Sequence, residues 1–226
     1  MAALEERPFR PRGAFLRNLR HNKAIILIKV EMLFKRSASA KRSITMNPID
    51  FLAQYYDLRS KAFKILLEHG KQVAKKARAA AKMVPGLKPD LEFINTAAML
   101  HDIGIFQTHS PGFGCFGKHP YICHGILGSR LLKKKGHARL ALVCERHIGA
   151  GISTADIRQQ HLPLPNRNMI PISIEEQIIC YADKYFSKNS NGRPAENSIA
   201  EIIDNLSRYG PDKVQRFESW AKKFEA

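Results

Sequence analysis

Residues 97–106 read AAMLHDIGIF. A long apolar helical pattern here presents two adjacent metal-capable side chains, His101 and Asp102. An aspartate is rarely buried without a partner, so a carboxylate at this place must be protonated, hydrogen-bonded or bound to a cation. Neighbouring helical positions point about 100° apart, which lets the histidine and the aspartate serve different centres or bridge two.

The pattern on either side is helical. Asn47 and Pro48 form a good helix start. Phe51, Leu52, Tyr55, Leu58, Ala62, Ile65 and Leu66 follow at spacings of three and four, predicting a helix over about 48–68. A second helix runs through Val73, Ala77, Ala81 and Val84 and stops at Pro85–Gly86. Asp90 caps a third that continues to Gly104. After the irregular, Gly- and aromatic-rich stretch QTHSPGFGCFGKHP, helices are expected at about 120–135, 137–148, 173–187, 197–208 and 211–224. Convincing strand alternation is absent, so the class is all-α.

A chain of 226 residues with 44% hydrophobic residues is long enough for one substantial domain, or one with an appendage. Spanning a bilayer needs roughly 20 apolar residues, and the longest candidate, AIILIKVEMLF, is shorter and contains Lys29 and Glu31. The four cysteines (Cys115, Cys123, Cys144, Cys180) form no CxxC pair. They read as structural thiols of a reduced, cytoplasmic protein.

The formal net charge of +17 would suit a nucleic-acid or membrane-surface partner. Its distribution weakens that argument. Residues 1–45 carry 11 Lys and Arg against 3 acidic residues, and the remaining 181 carry 26 against 17. The segment 1–45 is therefore expected to be a basic, flexible leader, with Met46 the natural start. A transit-like peptide or a nucleic-acid-binding arm is the lesser alternative. The expected organisation is this leader, a domain over 46–190, and a helical extension over 191–226 packed on the domain or on a second subunit, which admits a homodimer.

Taken singly, each histidine has an ordinary explanation. Several, however, sit on the apolar stripe of their own helix: His69 with Val73 and Ala77, His101 with Ile94 and Ala97, His124 with Tyr121, Gly128 and Leu131, and His147 with Leu140 and Cys144. Asp183 shares a face with Ile179 and Cys180. Burying these groups uncompensated would cost several kcal/mol. Convergence on a metal centre removes the cost in one step.

The ordered set His69, His101–Asp102 followed by Ile103–Gly104, His124, His147 and Asp183 resembles the HD-domain superfamily of metal-dependent phosphohydrolases. The flanking ERHIGAGIS, PLP and EEQIICYADKYFSK are similar to those of stand-alone HDIG proteins of bacteria and archaea. The resemblance covers roughly residues 50–190 and implies an HD-type helical bundle. It implies that His69, His101, Asp102 and Asp183 hold one metal, and that His124 and His147 bind a second with Asp102 bridging. His101 and Asp102 would then also be catalytic. Two divalent ions about 3.5–4 Å apart can share a water, lower its pKa towards neutrality and clamp a phosphoryl oxygen. Four imidazoles and two carboxylates suit Fe, Mn, Co, Ni or Zn better than Mg or Ca.

One position departs from the family pattern. Many dinuclear members carry Lys or Arg three residues after the Asp, where this chain has Ile105. Arg146, beside His147, is the first substitute for contacting phosphate. Lys118, His119 and His109, in the irregular loop, are further candidates for substrate binding, and Arg130 is a weaker one.

The expected activity is hydrolysis of a phosphoester of a nucleotide or small phosphorylated metabolite by a metal-bridging hydroxide. Three rivals stand beside it: a di-iron oxygenase of the same fold, a basic nucleic-acid-binding protein, and a sensory or structural metal site.

Overall fold

The computed structural model describes residues 46–187 and 196–225. The readings made for residues 1–45, and a domain boundary at 190/191, lie outside the described residues. No helix among those described is long and apolar enough to cross a membrane.

The architecture is helical. Asn47 caps a short helix α1 (Pro48–Leu52), its Oδ1 accepting from the Ile49 amide at 3.0 Å. The expected single helix over 48–68 does not form. Asp57 and Ser60 interrupt it: Asp57 Oδ1 accepts from the Arg59 amide at 2.8 Å, and the Ser60 hydroxyl donates to the Asp57 carbonyl at 2.6 Å. Such local side-chain bonds compete with the helical ladder. Ser60 then caps the 22-residue helix α2 (Lys61–Lys82), which fuses the remainder of the first expected helix with the second. Gly70 does not break α2, because the helix needs a small residue there. A Cβ at Gly70 would lie 3.0 Å from Met99 Cα on helix α3 (Leu91–Leu100).

Helix α3 stops at Leu100 rather than at Gly104, and the chain tightens into a 3-10 turn over Ile103–Gln107. The irregular stretch contains one small feature that alternation did not reveal. Strands β1 (His109–Ser110) and β2 (Cys115–Phe116) pair antiparallel, with His109 opposite Phe116. Helices α4 (His124–Lys134) and α5 (Ala138–Arg146) form a hairpin through Gly136, whose φ of 84° suits glycine. A short helix α6 (Thr154–Gln159), closed by a Ser153/Asp156 capping box, follows. Then come α7 (Ile174–Asp183), α8 (Ile199–Ser207) and α9 (Pro211–Phe224).

Helices α2, α3, α5 and α7 surround a core that includes Leu66, Val73, Ile94, Leu100, Ile178 and Ile179. Helix α9 packs on α7: Phe217 stacks on Tyr181 with ring centroids 5.6 Å apart, and Phe224 meets the same ring edge-on at 5.2 Å. Glu225 closes the contact by accepting from the hydroxyls of Tyr181 (2.6 Å) and Tyr185 (2.7 Å). Each fully buried aromatic of this kind contributes about 1.5–3 kcal/mol. The C-terminal extension is thereby fastened to the helix that ends in Asp183.

Candidate metal centre

Five helices deliver the six polar groups to one buried place, and five of the six stand at helix ends. His69 is the exception, in the middle of α2. His101 caps the C-terminus of α3, and Asp102 occupies the turn after it with φ −100° and ψ 5°. His124 is the first residue of α4, His147 caps the C-terminus of α5, and Asp183 is the last residue of α7. Three helix C-termini thus converge, and their carbonyl ends favour a cation between them. All six side chains are buried, none more than 6% exposed.

Hydrogen bonds set the direction of the imidazoles. His101, His124 and His147 each donate from Nδ1 to the carbonyl three residues earlier, on Ala98 (2.7 Å), Tyr121 (2.7 Å) and Cys144 (2.8 Å). That choice of tautomer leaves each Nε2 as an inward-facing lone pair, the arrangement by which a second partner orients a metal-ligating histidine. His124 Nε2 and His147 Nε2 then meet at 3.1 Å, and His69 Nε2 and His101 Nε2 at 3.2 Å. Two lone pairs at such distances repel unless a proton or a metal ion lies between them.

Asp102 divides the group in two. Its Oδ2 lies 3.2 Å from His101 Nε2 and 3.5 Å from His69 Nε2. Its Oδ1 lies 3.3 Å from His124 Nε2 and 3.4 Å from His147 Nε2. Asp183 Oδ1 joins the first pair, 2.9 Å from His69 and 3.3 Å from His101. The donor atoms of His69, His101 and Asp183 all lie within 4.8 Å of one another, as do those of His101, Asp102 and His147. The donor set and its spacing fit transition-metal ions, with one carboxylate oxygen turned to each side.

The protonation pattern without metal reflects the same crowding. Burial alone would lower the His101 pKa, but the Asp102 and Asp183 carboxylates outweigh it and raise the group to about 9. At His147 burial dominates, aided by the neighbouring His101 and His124, and its pKa falls to about 3. Adjacent imidazoles driven in opposite directions are what a centre built for positive charge gives when that charge is supplied by protons instead.

The remaining candidate residues lie outside this group. Arg146 faces Glu176, its NH1 donating to both carboxylate oxygens at 2.9 and 3.2 Å. It therefore joins α5 to α7 through NH1, while its buried Nε has no hydrogen-bond partner among the described residues. His109, in β1, and Lys118 and His119, after β2, are exposed, and the His109 amide donates to the His119 carbonyl at 2.7 Å. None of these four residues lines the cavity that reaches Asp183. Arg130, the weaker candidate, is likewise exposed and lies outside that lining. Ile105 is fully buried, so its position offers core packing rather than phosphate contact.

That cavity has a volume of about 1010 Å³ and draws its walls from other residues, among them Tyr121, Ile148, Lys184, Asn197, Asn205 and Arg208. Tyr121 stacks on His124 with centroids 4.6 Å apart. Lys184 Nζ lies 2.8 Å from Asp183 Oδ2 and donates to the His147 carbonyl at 3.4 Å. Its position directly after Asp183 was the available signal for this contact. The cysteines are free and buried, with Cys144 donating to the Leu100 carbonyl and Cys180 to that of His147. Cys144 and Cys180 thus support the ligand-bearing turns.

Residues 66–187 match the HD domain family. The chain belongs to that family. As an HD domain it falls within a superfamily of metal-dependent hydrolases whose members bind divalent metals, and its His/Asp clusters are placed to do so. An uncharacterized protein of Methanocaldococcus jannaschii is 37% identical over 99 residues, 43% of this chain and 51% of that protein. Two proteins named tRNA (cytidine(56)-2'-O)-methyltransferase also match. The one from Thermoplasma volcanium is 30% identical over 146 residues, 64% of this chain and 37% of its own length. The one from Picrophilus torridus is 34% identical over 124 residues, 54% of this chain and 32% of its own length. The matched stretches thus span 32% to 51% of the length of these relatives. No solved structure matches the chain.

Proposed function

We propose that this HD domain is a phosphohydrolase that cleaves a phosphoester of a nucleotide or small phosphorylated metabolite at a dinuclear centre. The observation that carries this reading is the division of Asp102, whose Oδ2 faces His69 and His101 while Oδ1 faces His124 and His147. His69, His101, Asp102 and Asp183 would hold one ion, and His124, His147 and Asp102 the other. Divalent ions there would lower the pKa of a coordinated water towards neutrality and neutralise charge on a phosphoryl group.

The chain's own groups supply the rest. The carbonyls of Ala98, Tyr121 and Cys144 hold three imidazoles in the tautomer that leaves Nε2 basic. Lys184 steadies Asp183 and brings a positive charge to the cavity wall. Tyr121, stacked on His124, keeps that ring in place and excludes water from one side. No Ser or Cys nucleophile is called for: all four cysteines are buried, and burial pushes the Cys180 thiol up to about 12.

The test is phosphate release by the full chain, purified without oxygen, loaded with Mn, Fe, Co, Ni or Zn and offered nucleotides, dinucleotides, cyclic dinucleotides and sugar phosphates. Release that needs metal and not oxygen supports the reading. Turnover that requires oxygen and iron would replace it with oxygenase chemistry. A second reading draws on the tRNA methyltransferase relatives and the net charge of +17: the chain works on or beside tRNA. It predicts tRNA binding that weakens steeply with salt and survives substitution of the metal ligands.

A further inference from the structure

The cavity beside Asp183 is only partly built by the family domain. Its near wall carries Tyr121, Ile148, Asp183 and Lys184, all within residues 66–187. Its far wall comes from beyond that match: Asn197, Ala200, Ile202, Asn205 and Leu206 of α8 and its approach, followed by Arg208, Tyr209 and Lys213. We infer that α8 is the specificity wall of the substrate site, and that it selects a phosphomonoester with a nucleoside-sized, mainly uncharged body over a polyphosphate. This rests on the phosphohydrolase reading above.

Size and charge both support it. At about 1010 Å³ the cavity is at the upper end of the roughly 300–1,000 Å³ found for ligand pockets, ample for a nucleoside and excessive for a bare sugar phosphate. The lining also carries apolar side chains, Ile122, Ile148, Ile152, Leu162, Ile202 and Leu206.

Among the described residues, every cation on the wall already faces a carboxylate. Lys184 lies 2.8 Å from Asp183, Lys213 lies 2.5 Å from Asp156, and Arg208 lies 2.8 Å from Asp204. Glu201 adds a further carboxylate, held by the Ser198 amide and hydroxyl. One phosphoryl group can be neutralised at the metal end. A second or third would sit against carboxylates and alkyl groups, where an uncompensated charge is costly. Tyr209, the Asn205 amide and the Oδ1 of Asn197, whose Nδ2 donates to the Lys184 carbonyl, instead offer neutral groups to a sugar or base.

The experiment compares a nucleoside 5'-monophosphate with its di- and triphosphate on the metal-loaded full chain, by phosphate release and by calorimetric binding. The expected kcat/KM falls at least tenfold with each added phosphate, and affinity falls in the same order. Ala200 is exposed, so Ala200→Trp can fill the cavity without disturbing the core. Its expected effect is a tenfold or greater rise in KM for the monophosphate with kcat and metal content retained. Asp204→Asn frees Arg208 and is expected to narrow the gap between mono- and triphosphate. Equal or tighter handling of the triphosphate, or an Ala200→Trp protein that binds the monophosphate as wild type does, would overturn the inference. If no substrate releases phosphate, the phosphohydrolase reading has failed, and the binding order alone then decides whether the wall selects as described.

Discussion

Gly104→Ala is the smallest change that tests how the centre is assembled. Gly104 sits in the 3-10 turn that follows Asp102, pressed against the start of α4. A Cβ there would lie 2.1 Å from the His124 carbonyl oxygen, 2.4 Å from the Gly128 amide nitrogen and 3.0 Å from Gly128 Cα. These are backbone atoms and cannot rotate away. An ordinary Cβ contact is 3.4–4 Å, so α4 must move more than 1 Å from the turn that carries Asp102. Overpacking of this kind costs about 1–3 kcal/mol, and at about 2–4 °C per kcal/mol for a unit of this size the Tm should fall by roughly 2–12 °C. The clash is with the backbone of His124, which faces Asp102 Oδ1, whereas His69 and Asp183 stand on other helices. A misplacement near 1 Å costs about 100-fold in rate. Metal analysis of Gly104→Ala should therefore show selective loss of the ion on the His124–His147 side and a kcat lower by about that factor. A variant that keeps its Tm, both ions and its turnover would refute the reasoning.

Other expectations concern the surroundings. Arg146→Ala removes one partner of a mostly buried ion pair, leaving Glu176 in a site where its carboxylate is 7% exposed. Breaking such a pair costs about 3–5 kcal/mol, so melting should show a large fall in Tm with kcat/KM much less affected. Unchanged stability with lost turnover would return Arg146 to substrate binding. The metal-free protein should also have a bell-shaped dependence of stability on pH. His101 has its pKa raised from 6.5 to about 9, so its contribution is full below 6.5 and is lost as pH rises through 9. His147 is lowered from 6.5 to about 3, so the unfolded chain binds the extra proton and its contribution is lost as pH falls from 6.5 towards 3. Melts of chelator-treated protein should give a maximum Tm near pH 6.5. A Tm flat from pH 4 to 9 would contradict both assignments.

The six converging groups were legible because each sits at an apolar position of its own pattern, where a polar side chain has to be explained. How they converge was less visible. Periodicity runs unbroken across residues 53–60 and across 100–104, yet the chain turns at both, because Asp57–Ser60 bonds and the α3 terminus are decided by side-chain and tertiary contacts that a stripe of Ile and Leu does not encode. The termination at Leu100 matters, since it sets His101 at the end of α3 and Asp102 in the turn after it. The substrate wall was harder still. Ile202 and Leu206 look like ordinary packing residues, and they are buried, but their helix also faces the cavity. Arg146 shows the opposite limit: adjacency to His147 in sequence says nothing of its contact with Glu176, thirty residues away.

The central claim is that Asp102 divides two ions between its oxygens, and metal stoichiometry tests it most directly. Anaerobically purified full chain, reconstituted and freed of excess metal, should hold two ions per chain by elemental analysis. His124→Ala should retain one, held by His69, His101, Asp102 and Asp183, and Asp102→Ala should lose both. A wild-type protein that binds one ion and hydrolyses phosphoesters at full rate, or an Asp102→Ala protein that keeps two, would contradict the account.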